Sequence, residues 1–529
     1  MTQKRRLSAT RIFIALTSTA LIAYGCVALW QKYDPLSLNE DIDPPWFASY
    51  VDVTATPTYV FEETRGRTAK DVVLSFVVAD PENPCKPTWG TYYDMDEANE
   101  SLELDRRIAR LRLEEGDVAI SFGGQANQEL ATTCKDASDL EDAYRSVVER
   151  YELTTIDLDI EGEALSDRTA NERRALALAS MQRSMEKDGH KIDIWVTLPV
   201  NTGGLTEDGK TTVQELLDGG VELRGVNAMT MNFGQDEVQG GSLSQAISSS
   251  LRALHTQIKE TYTGQNVQLS DAAAWRMVGM TPMIGQNDVP RQVLTITEAE
   301  SIRSFASRYG VGRTSLWSAN RDQACGVNYI DTTKVSDSCS GVEQESGDFE
   351  RILSTWVMDA APPVEEPTSL PREVPQSKDE EVDDPALSPY PIWTEDSDYV
   401  KGFKVVWKHN VYEAKWWTQN QIPDMPVERE GDTPWRLIGP VLPDDKPQTQ
   451  ASVPDGVAPD WSGTPSYDAG DVVYFDGQLY RAKWWTQGDS PAASSFNPGG
   501  SPWAVLSQKQ MLEYVENAED TKSSSKDEE

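Results

Sequence analysis

Histidine is nearly absent from this chain of 529 residues: His190, His255 and His409 are the only three. None stands at a metal-ligand spacing, and none forms a recognisable triad with a nucleophile and an acid. No metal and no cofactor are expected, and the chemistry has to be carried by carboxylates. Candidate strands are not followed by the glycine fingerprint of a dinucleotide site. Positive charge is scarce as well: 48 Lys and Arg against 86 Asp and Glu leave a net charge of -38. Nucleic-acid phosphates and anionic lipid surfaces would be repelled, so no nucleic-acid partner is expected.

What is present is concentrated in one short run. In Thr155-Ile156-Asp157-Leu158-Asp159-Ile160-Glu161 apolar and acidic residues alternate with period two. A strand places successive side chains on opposite faces, so Ile156, Leu158 and Ile160 share one face and the three acids the other. A line of carboxylates is costly to bury unless the acids share protons or meet a cation. Neighbouring acids push one another's pKa values apart, which keeps one of them protonated near neutrality.

The chain is long enough for two to four domains. Residues 1–11 form a basic tail, and Lys4, Arg5, Arg6 and Arg11 precede an apolar run at 12–30. That run is long enough to cross a bilayer, with the basic flank in the cytoplasm and the bulk outside. The expectation is a single-pass anchor in the cell membrane followed by a juxtamembrane segment at 31–69. The alternative is a secreted protein, cleaved after Ala23-Tyr24-Gly25 or lipidated at Cys26. Outside the cytoplasm disulfides are permitted. Cys85, Cys134, Cys325 and Cys339 allow three connectivities; Cys325 and Cys339 are close enough to close one loop, which leaves Cys85 with Cys134.

From 70 to 359, strand-like runs alternate with amphipathic helical patterns: 72–78, 118–124, 155–160, 192–200, 226–233, 278–284 and 314–318. Repeated βα units predict a parallel sheet, and seven strands with room for an eighth fit a (β/α)8 barrel. The strand that is not placed is taken as the second and sought near Thr88–Tyr93; an open doubly wound sheet is the alternative. Residues 360–389 are rich in Pro, Glu and Asp and read as a stiff, self-repelling linker. Beyond it two units, 390–439 and 459–508, repeat at an offset of 68 residues around a shared Ala-Lys-Trp-Trp-Thr-Gln. Residues 440–458 join them, and an acidic tail, 509–529, follows. Adjacent tryptophans in a strand cannot share a face, so one of each pair is expected to be displayed as a platform for a flat apolar ligand surface.

Trp393, Tyr412-Glu413-Ala414-Lys415-Trp416-Trp417 and Trp435 resemble the chitin-binding modules of carbohydrate-binding families 5 and 12, and Trp461, Tyr480 to Trp485 and Trp503 repeat the match. The resemblance implies a small β fold that binds chitin through Tyr412, Trp416, Trp417, Tyr480, Trp484 and Trp485. Read beside these units, Asp157-Leu158-Asp159-Ile160-Glu161 resembles the D-x-D-x-E signature of glycoside hydrolase family 18 chitinases, and Ser121-Phe122-Gly123-Gly124 that family's S-x-G-G. The resemblance implies catalysis by Glu161, Asp159 and Asp157, with Asp157 sharing a proton with Asp159. It implies substrate contacts at Ser121, Gly123, Trp89, Met229, Asn232 and Trp317. Asn232 and Phe233 stand where the family often pairs Asp with Tyr, so the phenol that holds the substrate acetamide is sought at Tyr92 or Tyr93. The implied protein is a monomeric, retaining chitinase acting on an N-acetylglucosamine polymer. A catalytically weak chitin lectin or adhesin, and an endo-β-N-acetylglucosaminidase acting on glycoprotein glycans, are the alternatives.

Overall fold

The computed structural model describes residues 44–360 and 383–524, apart from 57, 239–241, 327–330, 396, 400, 426, 428–429, 449–452, 454–455, 476–477, 492–500 and 507. The apolar run 12–30, Cys26 and most of the acidic linker lie outside the described residues. Among those described, no helix is long and apolar enough to cross a membrane.

Eight parallel strands close into a barrel. β1 is interrupted at Ala48 (Trp46–Phe47 and Ser49–Asp52), and β2 is Val72–Ala79, β3 Val118–Gly123, β4 Thr155–Asp159, β5 Asp193–Asn201, β6 Leu223–Met229, β7 Val278–Thr281 and β8 Arg313–Thr314. β1 closes the circle by pairing with β8 through Trp46 and Phe47 and with β2 through Ser49 to Asp52. The missing strand is therefore the first, inside the segment read as juxtamembrane, and the catalytic unit begins well before residue 70. Pro87–Trp89 is a strand, but it pairs antiparallel with the end of β2 and stands outside the barrel circle.

Ile156, Leu158 and Ile160 lie in the main hydrophobic core while Asp157 and Asp159 point the other way. The alternation therefore divides as a strand requires. Two disulfides are formed, Cys85–Cys134 and Cys325–Cys339.

Each repeat folds as a small β unit with its own aromatic core. The first has strands Lys404–Trp407, Asn410–Ala414 and Trp435–Pro440; the second has Val472–Phe475, Gln478–Ala482 and Trp503–Val505. Hydrogen bonds recur at the repeat offset: Trp435 Nε1 donates to the Gln421 carbonyl and Trp503 Nε1 to that of Asp489, each at 2.8 Å. The strand stops at Ala414 and resumes at Thr418, so the tryptophan pair sits on a bend instead of in a strand. Both members are consequently displayed: Trp416 and Trp417 are 43% and 59% exposed, as are Trp484 and Trp485. Tyr412 and Tyr480 belong instead to the buried unit cores, which removes them from the binding face. The end of the chain is also more ordered than its polarity suggests, because Gln508–Ser524 forms a helix.

The first module does not hang free of the barrel. Its strand sheet packs on the barrel helix Leu104–Leu113 through buried ion pairs. Lys404 Nζ meets Glu103 Oε1 at 2.7 Å, and the Arg106 guanidinium forks onto both Asp445 oxygens at 2.9 Å. Tyr390 donates to Glu103, and Arg110 donates to the Leu437 carbonyl. Gly439 permits the approach, since a Cβ there would stand 2.7 Å from the Arg106 carbonyl oxygen.

Candidate active site

β4 carries the acids to the C-terminal mouth of the barrel, the end at which such barrels place their chemistry. Asp157 lies deepest and is fully buried. Its Oδ1 accepts from Arg313 Nη1 at 2.5 Å and Thr197 Oγ1 at 2.7 Å. Its Oδ2 accepts from Tyr50 OH at 2.8 Å and Ser121 Oγ at 2.7 Å. Four donors occupy this carboxylate, and among the described residues no hydrogen bond joins it to Asp159. A guanidinium and three hydroxyls meet Asp157 where a proton shared with Asp159 was expected.

Asp159 and Glu161 face a pocket of about 120 Å³, lined also by Tyr50, Phe76, Met229, Asn232, Asp288 and Trp317. Burial pushes the Asp159 carboxyl well above its usual range; the charges of Glu161 and Asp157 push the same way, and Arg313 opposes them. Burial, then the neighbouring charge of Asp288, raises Glu161 to about 7. A carboxylic acid that still holds its proton near neutrality is equipped for general acid catalysis. Glu161 stands just past the strand, immediately before the short helix Gly162–Ser166.

The pocket wall is aromatic. Trp317 stacks on Phe76 with ring centroids 5.5 Å apart and planes 20° apart, and lies 6.1 Å from the Tyr50 ring. Trp317, Met229 and Asn232 therefore reach the pocket as expected. Ser121, Gly123 and Trp89 do not. Ser121 is spent on Asp157. Gly123, at φ +106°, lets its strand end approach Asp159, whose carbonyl oxygen would lie 2.1 Å from a Cβ. Trp89 is fully buried and donates to Tyr151 OH at 3.1 Å. Their positions serve the carboxylate, the chain path and the core respectively. Tyr92 and Tyr93 do not line the pocket.

Thr197, which holds Asp157 and lines the pocket, was not among the candidate residues, and neither were Tyr50, Arg313 and Asp288. Tyr50 lies on the unrecognised first strand. Arg313 lies one residue before the recognised last strand, and the need for a cation to meet three buried acids was the available signal. Asp288 lies in an irregular loop, where Asn232 Nδ2 donates to its Oδ2 at 2.7 Å and Asn232 Oδ1 accepts from its backbone N–H at 2.9 Å. Asn232 thereby fixes Asp288 at the pocket edge; nothing in the local sequence pattern announces this.

Residues 460–504 match the model of Carbohydrate-binding module family 5/12. The chain is 35% identical over 289 residues to a "Probable bifunctional chitinase/lysozyme" of Escherichia coli (strain K12), covering 53% of this chain and 31% of that protein. It is 34% identical over 283 residues to "Endochitinase 11" of Metarhizium anisopliae, covering 52% of each. The chain thus spans about a third and about half of the length of these two relatives. The catalytic domain of a hyperthermophilic chitinase from Pyrococcus furiosus superimposes with a TM-score of 0.52 at 24% identity, over 61% of this chain and 98% of that one. At that identity the likeness establishes the shared (β/α)8 barrel.

Proposed function

We propose that the barrel is a chitinase that cleaves β-1,4 linkages between N-acetylglucosamine units with retention, and that the two modules hold it on the polymer. The observation that carries this reading is the pairing of two protonatable carboxyls, Asp159 and Glu161, in one pocket walled by Trp317. The similarity to two chitinases and the match of residues 460–504 support the substrate class.

In this mechanism Glu161 gives its proton to the glycosidic oxygen. The substrate's own N-acetyl oxygen attacks C1 as the leaving group departs, giving an oxazolinium ion, so no carboxylate nucleophile is needed. Asp159 accepts the acetamide N–H and faces the positive charge as it develops. Asp157, held by Arg313, Tyr50, Thr197 and Ser121, stands fixed behind Asp159. Because Asp159 and Glu161 interact, their protons come off in two steps that belong to the pair and to neither residue alone. Water then loses a proton to Glu161 and opens the ring on the same face.

Product analysis on N-acetylglucosamine oligomers tests the reading, with Glu161→Gln beside the wild type. The variant should lose at least ~10²–10⁴-fold in rate while remaining folded. Near-normal cleavage by it would remove the catalytic assignment, and products of inverted configuration would remove the substrate-assisted route. Since Glu161 must carry its proton to act as acid, the wild-type rate should decline as pH rises through about 7. We also propose that the apolar run 12–30 anchors the protein with its bulk outside the cytoplasm, as a monomer. Recovery of the protein in the soluble fraction, starting beyond residue 26, would replace the anchor with a cleaved leader.

A further inference from the structure

A second cavity, of about 410 Å³, lies where the barrel meets the first module. One wall is barrel: Tyr59 and Glu63 after β1, Asn320 after β8, and Asp337 and Ser338 beside the Cys325–Cys339 bridge. The other wall is Arg436 of the module. The two walls are tied by one side chain, because Arg110 pairs with Glu63 at 2.6 Å and donates to the carbonyl of Leu437, next to Arg436. Arg107 pairs with Glu62 at 2.8 Å and fixes the same stretch of barrel wall.

This cavity and the catalytic pocket are lined by neighbouring residues of one loop. Asp52 and Thr54 line the pocket, while Ala55 and Thr56 line the cavity, along one continuous piece of chain. Asn320 lines the cavity and exchanges two 3.0 Å hydrogen bonds with the Asp52 backbone. The lining mixes apolar surface from Ala55, Tyr59 and Val60 with polar side chains whose charges are matched: Glu63 by Arg110, and Arg436 by Glu413 at 3.1 Å. Burial raises the Asp337 carboxyl to about 7, although Arg321 opposes it. A wall of compensated charges, hydroxyls and amides, with Tyr59 as an apolar surface, suits a neutral polyhydroxylated ligand better than an ion.

From these placements we infer that the cavity is an additional saccharide subsite, built jointly by barrel and first module, that receives the N-acetylglucosamine chain as it leaves the catalytic pocket past Asp52 and Asn320. The inference rests on the proposed chitin specificity. It gives the docked module a role besides adhesion: the module completes a groove.

The test fills the cavity from the barrel side, where Thr58 and Ser338 both line it, with Ser338→Trp and Thr58→Trp made separately in the full-length chain. The read-out is kcat/KM for the N-acetylglucosamine hexamer divided by that for the trimer, a ratio that cancels losses common to both. Either variant should lower the ratio about tenfold, the value of one good contact. A wild-type ratio in both folded variants would overturn the inference. Hexamer and trimer binding to Glu161→Gln chains carrying the same substitutions separates the two claims. A selective loss of hexamer affinity supports the subsite even if the wild type proves unable to cleave, whereas that inability overturns only the catalytic reading. Equal affinities with and without the tryptophans would overturn the subsite on its own.

Discussion

The two modules carry the same displayed tryptophans and differ on their backs. In the first, the sheet face formed by Tyr390, Val406, Val411 and Ile438 is continued by Lys404, and the barrel helix Leu104–Leu113 lies beyond it. At the repeat offset these residues become Ala458, Tyr474, Leu479, Leu506 and Val472. That second face is covered by Met511 and Tyr514 of the terminal helix Gln508–Ser524. Binding surface and mounting surface have thus diverged independently. A binding platform constrains only what faces the ligand, while the opposite face is free to take on whatever neighbour supplies burial.

The sharpest way to break this contrast is Lys404→Ala. It leaves the buried Glu103 without its ammonium partner, and removing one member of a buried pair costs about 3 kcal/mol. The loss should appear in denaturant unfolding of the barrel, not only of the module. Val472→Ala, at the equivalent site, should cost about 1 kcal/mol and leave the barrel transition in place. A wild-type barrel transition in Lys404→Ala would mean that the docking contributes nothing.

Next in size, Trp416→Ala with Trp417→Ala, and Trp484→Ala with Trp485→Ala, should each weaken retention on solid chitin about tenfold, because tandem sites act through effective concentration. Only the first pair, fixed relative to the catalytic pocket, should also lower turnover on the solid at equal bound enzyme. Interchangeable behaviour of the two pairs in turnover would deprive the docking of any catalytic consequence.

The smallest effect is acid sensitivity. Burial pushes the Glu103 carboxyl up, but Lys404 and Arg106 more than reverse this and hold it below its ordinary value. A depressed acid contributes stability that is complete above its unfolded pKa and is lost as pH falls through the folded one. The seam of the first module should therefore loosen at acid pH, read as faster proteolysis within 440–458, while the back of the second module, which is apolar, should not follow. Identical cleavage rates at neutral and acid pH would show that the pair does not hold the seam.

The β4 acids were legible because period-two alternation is written in consecutive residues, and the barrel followed from repeated units of the same kind. What the acids rest on was not legible. Tyr50 and Arg313 reach Asp157 from sequence separations of 107 and 156 residues. β1 itself is short, broken at Ala48, and reads as the continuation of an anchor. The adjacent tryptophans were legible as exposed chemistry, but their geometry was not, since a bend lets both face water where a strand would have hidden one. The docking escaped because Lys404, Tyr390 and Asp445 resemble ordinary surface residues. Its trace was the mismatch between repeats, Lys404 against Val472 and Tyr390 against Ala458, which shows that the two backs face different surroundings.

The terminal helix has a consequence for inheritance. Because it covers the second module with residues from the module's own end of the chain, a segment ending after residue 524 takes its own lid with it when moved to another host. The first module has no such freedom. Its lid is encoded some three hundred residues upstream, at Glu103, Arg106 and Arg110, so moving it without the barrel leaves that face uncovered.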